Sequence, residues 1–352
     1  MPSDPRSDQN STSPADGVPS TRLDVVCVGN ALVDVLTSAP DELLVELGLV
    51  KGTMALVDHE RAAAIYERMG ATTEASGGSA ANTAAGVAAL GGRAAFLGRV
   101  ADDGLGRAFT HDIRSVGVAF DPTPTPAVPG EVVSGHCLVL VTDDAERTMA
   151  THLGVASDFA AVDLHDGHLA STQVVYLEGY LWEQPSAKAA MREAIEVAHR
   201  HDASVALTVS DPFCVQNHRD EFLELLDGDL ELLFANEEEA VMLFGTSSFD
   251  AAVAAAADTG VLAVLTRGAR GSVVVTASGP VEVPAAPVDR VVDTTGAGDL
   301  FAAGFLYGIT NGLQPEEAAR LGGVCAGEVI GHVGARPQAD LRALAVEAGL
   351  FG

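Results

Sequence analysis

Residues 293–301, DTTGAGDLF, combine two glycines and two carboxylates directly before an apolar run. A helix beginning near residues 298–299 would present free backbone N–H groups at its positive end, where small residues let a phosphate approach closely. These N–H groups would belong to Gly296, Ala297 and Gly298. Asp299, in the first turn, could then accept a proton from an attacking hydroxyl group. The segment therefore predicts a site for phosphoryl transfer to an alcohol.

Asp299 also has a simpler, structural interpretation. Acidic residues are common at the N-cap and in the first turn of a helix, where they stabilise the free N–H groups and the helix dipole. For an isolated G-A-G-D sequence this structural role is the default, so the choice between the two depends on the rest of the chain.

The elements that would position this segment follow an alternating order. From residue 174 onward, apolar strands alternate with amphipathic helices, and Leu23–Val28 earlier in the chain has the pattern of a buried strand. Helices are expected at residues 79–90, 300–312 and 315–330. This alternation predicts a three-layer α/β/α fold with a mostly parallel sheet covered on both faces.

Composition narrows the class of partner and the compartment. The chain has 352 residues, 47% of them hydrophobic, and a formal charge of −29, which argues against nucleic acid or an anionic membrane as a partner. The four scattered cysteines form no C-x-x-C pair, so we expect no disulfide framework or zinc site and a cytoplasmic location. Residues 1–21 predict a disordered tail before a domain at 22–352, and no apolar run reaches the ~18 residues of a membrane span.

Two long segments resemble the signatures of the ribokinase, or pfkB carbohydrate kinase, superfamily. Residues 77–106, GGSAANTAAGVAALGGRAAFLGRVADDGLG, are similar to its N-terminal signature, and residues 293–301 are similar to its C-terminal signature. Two long motifs in the expected order are far more specific than a lone glycine loop. The resemblance implies a ribokinase-like core with a small β-sheet lid, built from segments near 36–57 and 118–151, and a reaction that uses ATP and Mg²⁺.

The resemblance implies roles for residues on the acceptor side. Asp299 matches the catalytic base, and the three small residues before it match the anion hole. Asp34, with Asn30 nearby, matches the acid that binds a vicinal diol, since a carboxylate can accept two hydroxyl donors at once. A turn acid at a strand end is the alternative for Asp34. Further contacts with the acceptor's hydroxyl groups are expected from Gly77, Gly78 and Asn82.

On the nucleotide side, Asn236 and Glu239 match a pattern that binds Mg²⁺ through water, although the same residues would also make an ordinary helix N-cap. Residues 266–272, TRGARGS, resemble the strand end and turn that flank the nucleotide, and Arg270 there is either a phosphate contact or a solvated side chain. Nucleotide contacts are expected from Thr266, Arg267, Gly268 and Gly271. Asp293 and Thr295 match a site for a monovalent cation such as K⁺. Neither a Walker motif nor G-x-G-x-x-G after the first strand occurs, so ATP would be bound without a P-loop lysine.

Three features resemble the adenosine kinase-like branch and imply adenosine as the acceptor. They are the G-N-x-x-x-D spacing at residues 29–34, Arg147 as a phosphate contact, and Tyr180 or Trp182 as a ring stacked on the purine. Core packing is the alternative for Trp182. A sugar kinase for ribose, fructose or a ketodeoxy acid is the main rival, while an inactive ligand sensor and an NAD-dependent oxidoreductase are remote ones. A monomer and a homodimer are both open.

Overall fold

The computed structural model describes residues 22–144 and 146–351, so the predicted tail at 1–21 lies outside the described residues. The strands are β1 (Leu23–Val28), β2 (Leu32–Ser38), β3 (Met54–Leu56), β4 (Thr73–Gly77), β5 (Ala94–Leu97), β6 (Gly135–Val141), β7 (Arg147–His152), β8 (Thr172–Glu178), β9 (Ser204–Thr208), β10 (Leu232–Asn236), β11 (Leu262–Thr266), β12 (Ser272–Thr276) and β13 (Gly279–Val283). The helices are α1 (Asp41–Glu46), α2 (His59–Tyr66), α3 (Ser79–Ala89), α4 (Gly104–Ser115), α5 (Asp166–Leu169), α6 (Pro185–Arg200), α7 (Pro212–Leu226), α8 (Glu237–Phe244), α9 (Phe249–Thr259), α10 (Ala297–Thr310), α11 (Pro315–Val329) and α12 (Leu341–Glu347).

The larger sheet has the strand order β13-β12-β11-β10-β9-β8-β1-β5. All neighbours are parallel except β12 and β13, which form the antiparallel edge. Both faces are buried, because successive residues of β1 enter different cores. Val25 and Cys27 belong to the core that contains residues of α3, α10 and α11, whereas Val26 and Val28 belong to the core that contains residues of α6 and α7. The predicted three-layer α/β/α fold is confirmed.

The smaller sheet has the order β3-β7-β6-β2-β4 and shares no strand with the larger one. The predicted lid ranges 36–57 and 118–151 contain β3, β6 and most of β7. The sheet also includes all of β2, from Leu32, and β4 at Thr73–Gly77. Closure of this sheet as a lid stays a prediction.

Four polar residues lie at or directly after the carboxyl ends of parallel strands, on the same side of the larger sheet. Asn30 follows β1, Glu178 ends β8, Asn236 ends β10 and Thr266 ends β11. Ligands of open α/β sheets bind at this edge, so the topology brings together residues that are far apart in sequence.

Within residues 22–144 and 146–351, no single helix is long and apolar enough to cross a membrane. The helices α8 and α9, which are bent by 64° relative to each other, are together long and apolar enough for a membrane span, by length and composition only.

Candidate active site

The N-terminus of α10 forms the centre of the site. The helix begins at Ala297, slightly earlier than expected, with Gly296 as its N-cap. Gly296 has φ +77°, a conformation that favours glycine, and it lies so close to Ala335 that an added Cβ would come within 2.7 Å of the Cβ of that residue. Gly298 is exposed, and no described heavy atom lies within 4 Å of the position its Cβ would occupy. The N–H of Ala297 donates to the carbonyl of Thr294 at 3.2 Å, which leaves those of Gly296 and Gly298 as the candidate donors to an anion.

Asp299 is fixed in the first turn of α10 by two donors from α3. Ser79 Oγ donates to its Oδ1 at 2.6 Å, and Asn82 Nδ2 donates to its Oδ2 at 2.9 Å. Burial raises the pKa of Asp299, while these hydrogen bonds and the charge of Arg336 oppose the rise. A carboxylate with a raised pKa is a stronger base than an exposed one, which suits it to proton abstraction.

Asp34 projects from β2 beside the glycine turn that precedes α3. Gly77 pairs with Leu32 in the adjacent strand, and a Cβ at Gly77 would come within 2.6 Å of all three atoms of the Asp34 carboxyl group. Any side chain at Gly77 would displace that carboxylate. Burial raises the pKa of Asp34 to about 6, although Arg336 and Arg147 lower it.

Glu178 is a site residue that was not predicted from the sequence. It is almost fully buried at the end of β8 and accepts from both nitrogens of Asn30, at 3.2 Å from N and 2.9 Å from Nδ2. Its other oxygen accepts from the backbone N–H of Ala80 at 2.9 Å. An acid after the apolar run of a parallel strand was the available signal. Burial raises the pKa of Glu178 to about 7.

Two amide oxygens remain available for a ligand. Glu178 occupies Nδ2 of Asn30 and Asp299 occupies Nδ2 of Asn82. The buried Oδ1 atoms of both asparagines have no hydrogen-bond partner within the described part of the chain. Buried acceptors without a partner are costly, so both are candidates to accept from hydroxyl groups of a bound alcohol.

Two cavities meet at the N-terminus of α10. One, of about 360 Å³, is lined by Asn30, Asp34, Asn82, Glu178, Gly296 and Asp299. The other, of about 570 Å³, is lined by Thr266, Gly268, Gly271, Ala297, Gly298 and several small apolar residues from α11 and the segment after β13. The helix terminus thus presents its carboxylate to the first cavity and its bare backbone to the second.

The family model for pfkB family carbohydrate kinases matches residues 42–341. The chain belongs to this family. The solved adenosine kinase of Sinorhizobium meliloti is 48% identical, with a TM-score of 0.87 over 93% of this chain and 100% of that one. A "probable sugar kinase" of Rhizobium etli is 44% identical, with a TM-score of 0.88 over 94% and 100%. The adenosine kinase of Saccharomyces cerevisiae is 28% identical over 88% of this chain and 95% of its own length. The protein is therefore a phosphotransferase with an alcohol group as acceptor.

Asp293 and Thr295, predicted to hold a monovalent cation in this kinase, lie just before α10. Asp293 accepts from the backbone N–H groups of Thr295 at 3.0 Å and Gly334 at 2.8 Å. It also forms a buried ion pair with Arg147, at 2.5 Å from Nη2 to Oδ2. The guanidinium group already balances this carboxylate, so the arrangement does not favour a cation bound directly to Asp293 while the pair is intact. A K⁺ site here stays a prediction.

Asn236 and Glu239 form a complete capping box at the start of α8. Asn236 Oδ1 accepts from the N–H of Glu239 at 2.9 Å, and the N–H of Asn236 donates to Glu239 Oε2 at 2.8 Å. Burial and the charge of Asp211 raise the pKa of Glu239 to about 7. No group of three or more His, Cys, Asp or Glu side chains suited to a metal ion occurs among the described residues. Mg²⁺ fits these residues only through its own water shell, which is a common mode for this ion.

The arginines of the pfkB nucleotide segment are engaged with neighbouring side chains. Arg267 lies 4.4 Å above the ring of Phe249 and 3.8 Å from Glu237, and Arg270 also pairs with Glu237. Thr266 and Gly268 contribute to the larger cavity, whereas Arg267 does not line it. Contact of either arginine with phosphate stays a prediction.

Trp182 does not contact the acceptor cavity, and the prediction that it stacks on a purine is wrong. Its side chain is 0% exposed, packs on Phe222, and donates from Nε1 to Glu221 Oε2 at 2.9 Å. The alternative, core packing, is confirmed. Tyr180, the other ring proposed from the sequence, does line the cavity.

Replacing Trp182 with phenylalanine is therefore expected to lower the free energy of unfolding by ~1–3 kcal/mol, through a smaller ring and a lost hydrogen bond. KM for the acceptor and kcat should remain at wild-type values. Urea denaturation together with steady-state kinetics checks both parts. A raised KM at unchanged stability would return Trp182 to the acceptor site.

Proposed function

We propose that this kinase transfers the γ-phosphoryl group of ATP to the 5′-hydroxyl group of a ribonucleoside, most suitably adenosine. One observation carries the proposal: the N-terminus of α10 lies between two cavities, with Asp299 on one side and Gly298 on the other. A nucleotide in the larger cavity and an alcohol in the smaller one would bring donor and acceptor together at the anion hole.

The chain's own residues account for the steps of transfer. Asp299 takes the proton of the attacking hydroxyl as the oxygen approaches phosphorus, while Ser79 and Asn82 hold the carboxylate in place. The N–H groups of Gly296 and Gly298 stabilise the charge that develops on the transferred group, whereas that of Ala297 would have to leave the carbonyl of Thr294 to contribute. Mg²⁺, bound through water near Glu239, would neutralise phosphate charge. Arg147 is buried in its ion pair with Asp293 and lines neither cavity, so its contact with phosphate stays a prediction.

The smaller cavity suits an uncharged polyol better than an anionic acceptor. Five carboxylate side chains line it, those of Asp34, Glu178, Glu183, Asp211 and Asp299, and no described lysine or arginine does. These carboxylates and the free Oδ1 atoms of Asn30 and Asn82 accept hydrogen bonds, so the matching ligand donates from several hydroxyl groups. A carboxylated or phosphorylated sugar would meet repulsion here.

Exposed apolar side chains also line this cavity, and they support a nucleoside over a free sugar. Phe213 is 53% exposed, Leu56 53% and Met54 40%, and all three line the cavity together with Tyr180. A small sugar would leave apolar groups of this size exposed to water, whereas a purine would bury them against the faces of its ring. The similarity to two adenosine kinases supports the same acceptor, and the similarity to the Rhizobium etli protein keeps a neutral sugar as the second candidate.

A coupled assay of ADP formation tests the acceptor with adenosine, inosine, guanosine, ribose and fructose at fixed ATP and Mg²⁺. We expect adenosine to give the highest kcat/KM. Free sugars should be at least ~10-fold lower because they cannot bury the apolar side chains that line the smaller cavity. Higher kcat/KM with ribose or fructose would replace the nucleoside assignment with the sugar kinase one.

A further inference from the structure

Residues 334–336 connect parts of the site that are distant in sequence. The N–H of Gly334 donates to Asp293, and Ala335 packs against Gly296 of the anion hole. Arg336 then extends away from α10 towards the smaller sheet. Its Nε and Nη2 donate to O and Oγ of Ser76 at 3.3 and 2.9 Å, and its Nη1 donates to the carbonyl of Ala81 at 2.7 Å.

The two anchor points of Arg336 flank the acceptor-binding turn. Ser76 directly precedes Gly77 and Gly78, and Ala81 lies in the first turn of α3, beside the residues that donate to Asp299. Ser76 is also held from its other side, because Asp112 on α4 accepts from its N–H at 2.9 Å and from its hydroxyl group. A single planar guanidinium group therefore spans the turn from end to end.

We infer that Arg336 is a positioning residue for phosphoryl transfer, which fixes the Gly77 and Gly78 turn against α10 and offsets the negative charge of the acceptor site. The inference rests on the proposed function. Arg336 lines neither cavity at the N-terminus of α10, so it acts through the residues it holds and through its charge.

The charges around Arg336 show which groups its removal would affect. Asp34, Asp112 and Asp299 act on it electrostatically. The charge of Asp299 raises the pKa of four neighbouring groups, those of Asp34, Tyr176, Glu178 and Tyr180. The cation that lowers the pKa of Asp299 is Arg336. Asp34 also feels Arg147 and Asp293. Loss of the Arg336 charge should therefore raise the pKa of both Asp34 and Asp299.

The test is the pH dependence of kcat/KM between pH 5 and 9.5, with ATP and adenosine as substrates. Arg336→Gln should move the acid limb of the profile up by about one pH unit, the lower end of the effect of a neighbouring opposite charge. At pH values well below both acid limbs the loss relative to the wild type should approach ~10-fold, and kcat/KM should recover towards the wild-type value at the alkaline end of the range, where the carboxylates are ionised again. Arg336→Lys keeps the positive charge but loses the planar group that donates from three nitrogens at once. Its acid limb should therefore stay in place while kcat/KM falls at every pH.

Arg99→Gln provides a matched control. Like Arg336, Arg99 donates to a hydroxyl group and a backbone carbonyl, those of Thr125 and Asp158, and it lines neither cavity. Its loss should leave the acid limb unchanged. A pH-independent loss in Arg336→Gln would overturn the electrostatic part of the inference. If that variant does not fold by circular dichroism, the lysine variant decides, and an acid limb raised despite the retained charge would overturn it.

The choice of acceptor does not affect this test. If adenosine is not phosphorylated by the wild-type protein, the proposed acceptor is wrong. The same profiles are then measured with the alcohol that is phosphorylated, and the acid limb of Arg336→Gln still decides the role of Arg336.

Discussion

Replacing Asp299 with asparagine is expected to lower kcat by ~10²–10⁴-fold, because the amide cannot take the proton of the attacking hydroxyl. The fold and KM for ATP should change little. Asparagine has the same shape, and it can still accept from Asn82 Nδ2 and donate to Ser79 Oγ, so the contact between α3 and α10 is retained. Single-turnover kinetics with adenosine and ATP measures the effect on the chemical step.

Asp250→Asn is the matched control for this variant. Asp250 is also an acid in the first turn of a helix, α9, and it lies outside both cavities. Its replacement should leave kcat unchanged and alter stability only slightly. If Asp299→Asn behaves like Asp250→Asn, then Asp299 is no more than a helix-capping acid.

The free energy of unfolding gives an independent readout of the same variant. Burial raises the pKa of Asp299 in the folded state. A carboxyl group with a raised pKa binds its proton more tightly when folded, so stability falls as pH rises from about 4 through the folded-state pKa. The ionised base therefore costs stability at pH 7, and Asp299→Asn should unfold no more readily than the wild type.

The local elements of this fold could be predicted because each has a local cause. The apolar run of β1 ends at Gly29 and Asn30, and the structure gives the predicted bounds Leu23–Val28. The helix expected at residues 79–90 is observed as Ser79–Ala89. Gly296, Gly298 and Asp299 lie within one continuous motif, so their proximity could be predicted without knowledge of the tertiary structure.

Contacts between distant segments could not be predicted in this way. Ser79 and Asp299 are 220 positions apart, and Arg336 and Ser76 are 260 positions apart. The acid that ends the apolar run of β8 marks Glu178 only as a strand-end residue, and nothing in the letters around Arg336 distinguishes a buried, hydrogen-bonded charge from a solvated one. Their roles depend on the parallel order of the strands and on the path of the chain after α11.

The position of Trp182 likewise depends on a contact between separate segments. Trp182 was placed beside the purine by resemblance alone, because the letters of its own segment do not show which element covers its ring. That element is α7 (Pro212–Leu226): Phe213 in its first turn lines the acceptor cavity, whereas Phe222 and Glu221, further along the same helix, contact Trp182. Asp211 and Pro212 are a recognised N-cap and N1 pair, so the start of α7 itself has a local cause.

Replacing Asp34 with alanine is expected to raise KM for adenosine and also to lower kcat. If Asp34 binds the 2′- and 3′-hydroxyl groups of the ribose, the 5′-hydroxyl group faces Asp299 and the anion hole, and a loosely held sugar misplaces that oxygen. KM for ATP should stay unchanged, since Asp34 lines only the smaller cavity. Initial rates over a matrix of adenosine and ATP concentrations separate these effects.

A comparison with 2′-deoxyadenosine isolates the contact between Asp34 and the diol. On the wild type, the deoxy acceptor should lose ~1–3 kcal/mol of transition-state stabilisation, because a buried acceptor is left without its donor. On Asp34→Ala the penalty should be much smaller, since the partner carboxylate is already absent. The two penalties come from ratios of kcat/KM on one protein, so a general loss of activity in the variant cancels. An equal deoxy penalty on both proteins would show that another group, such as the free Oδ1 of Asn30 or Asn82, binds the 2′-hydroxyl.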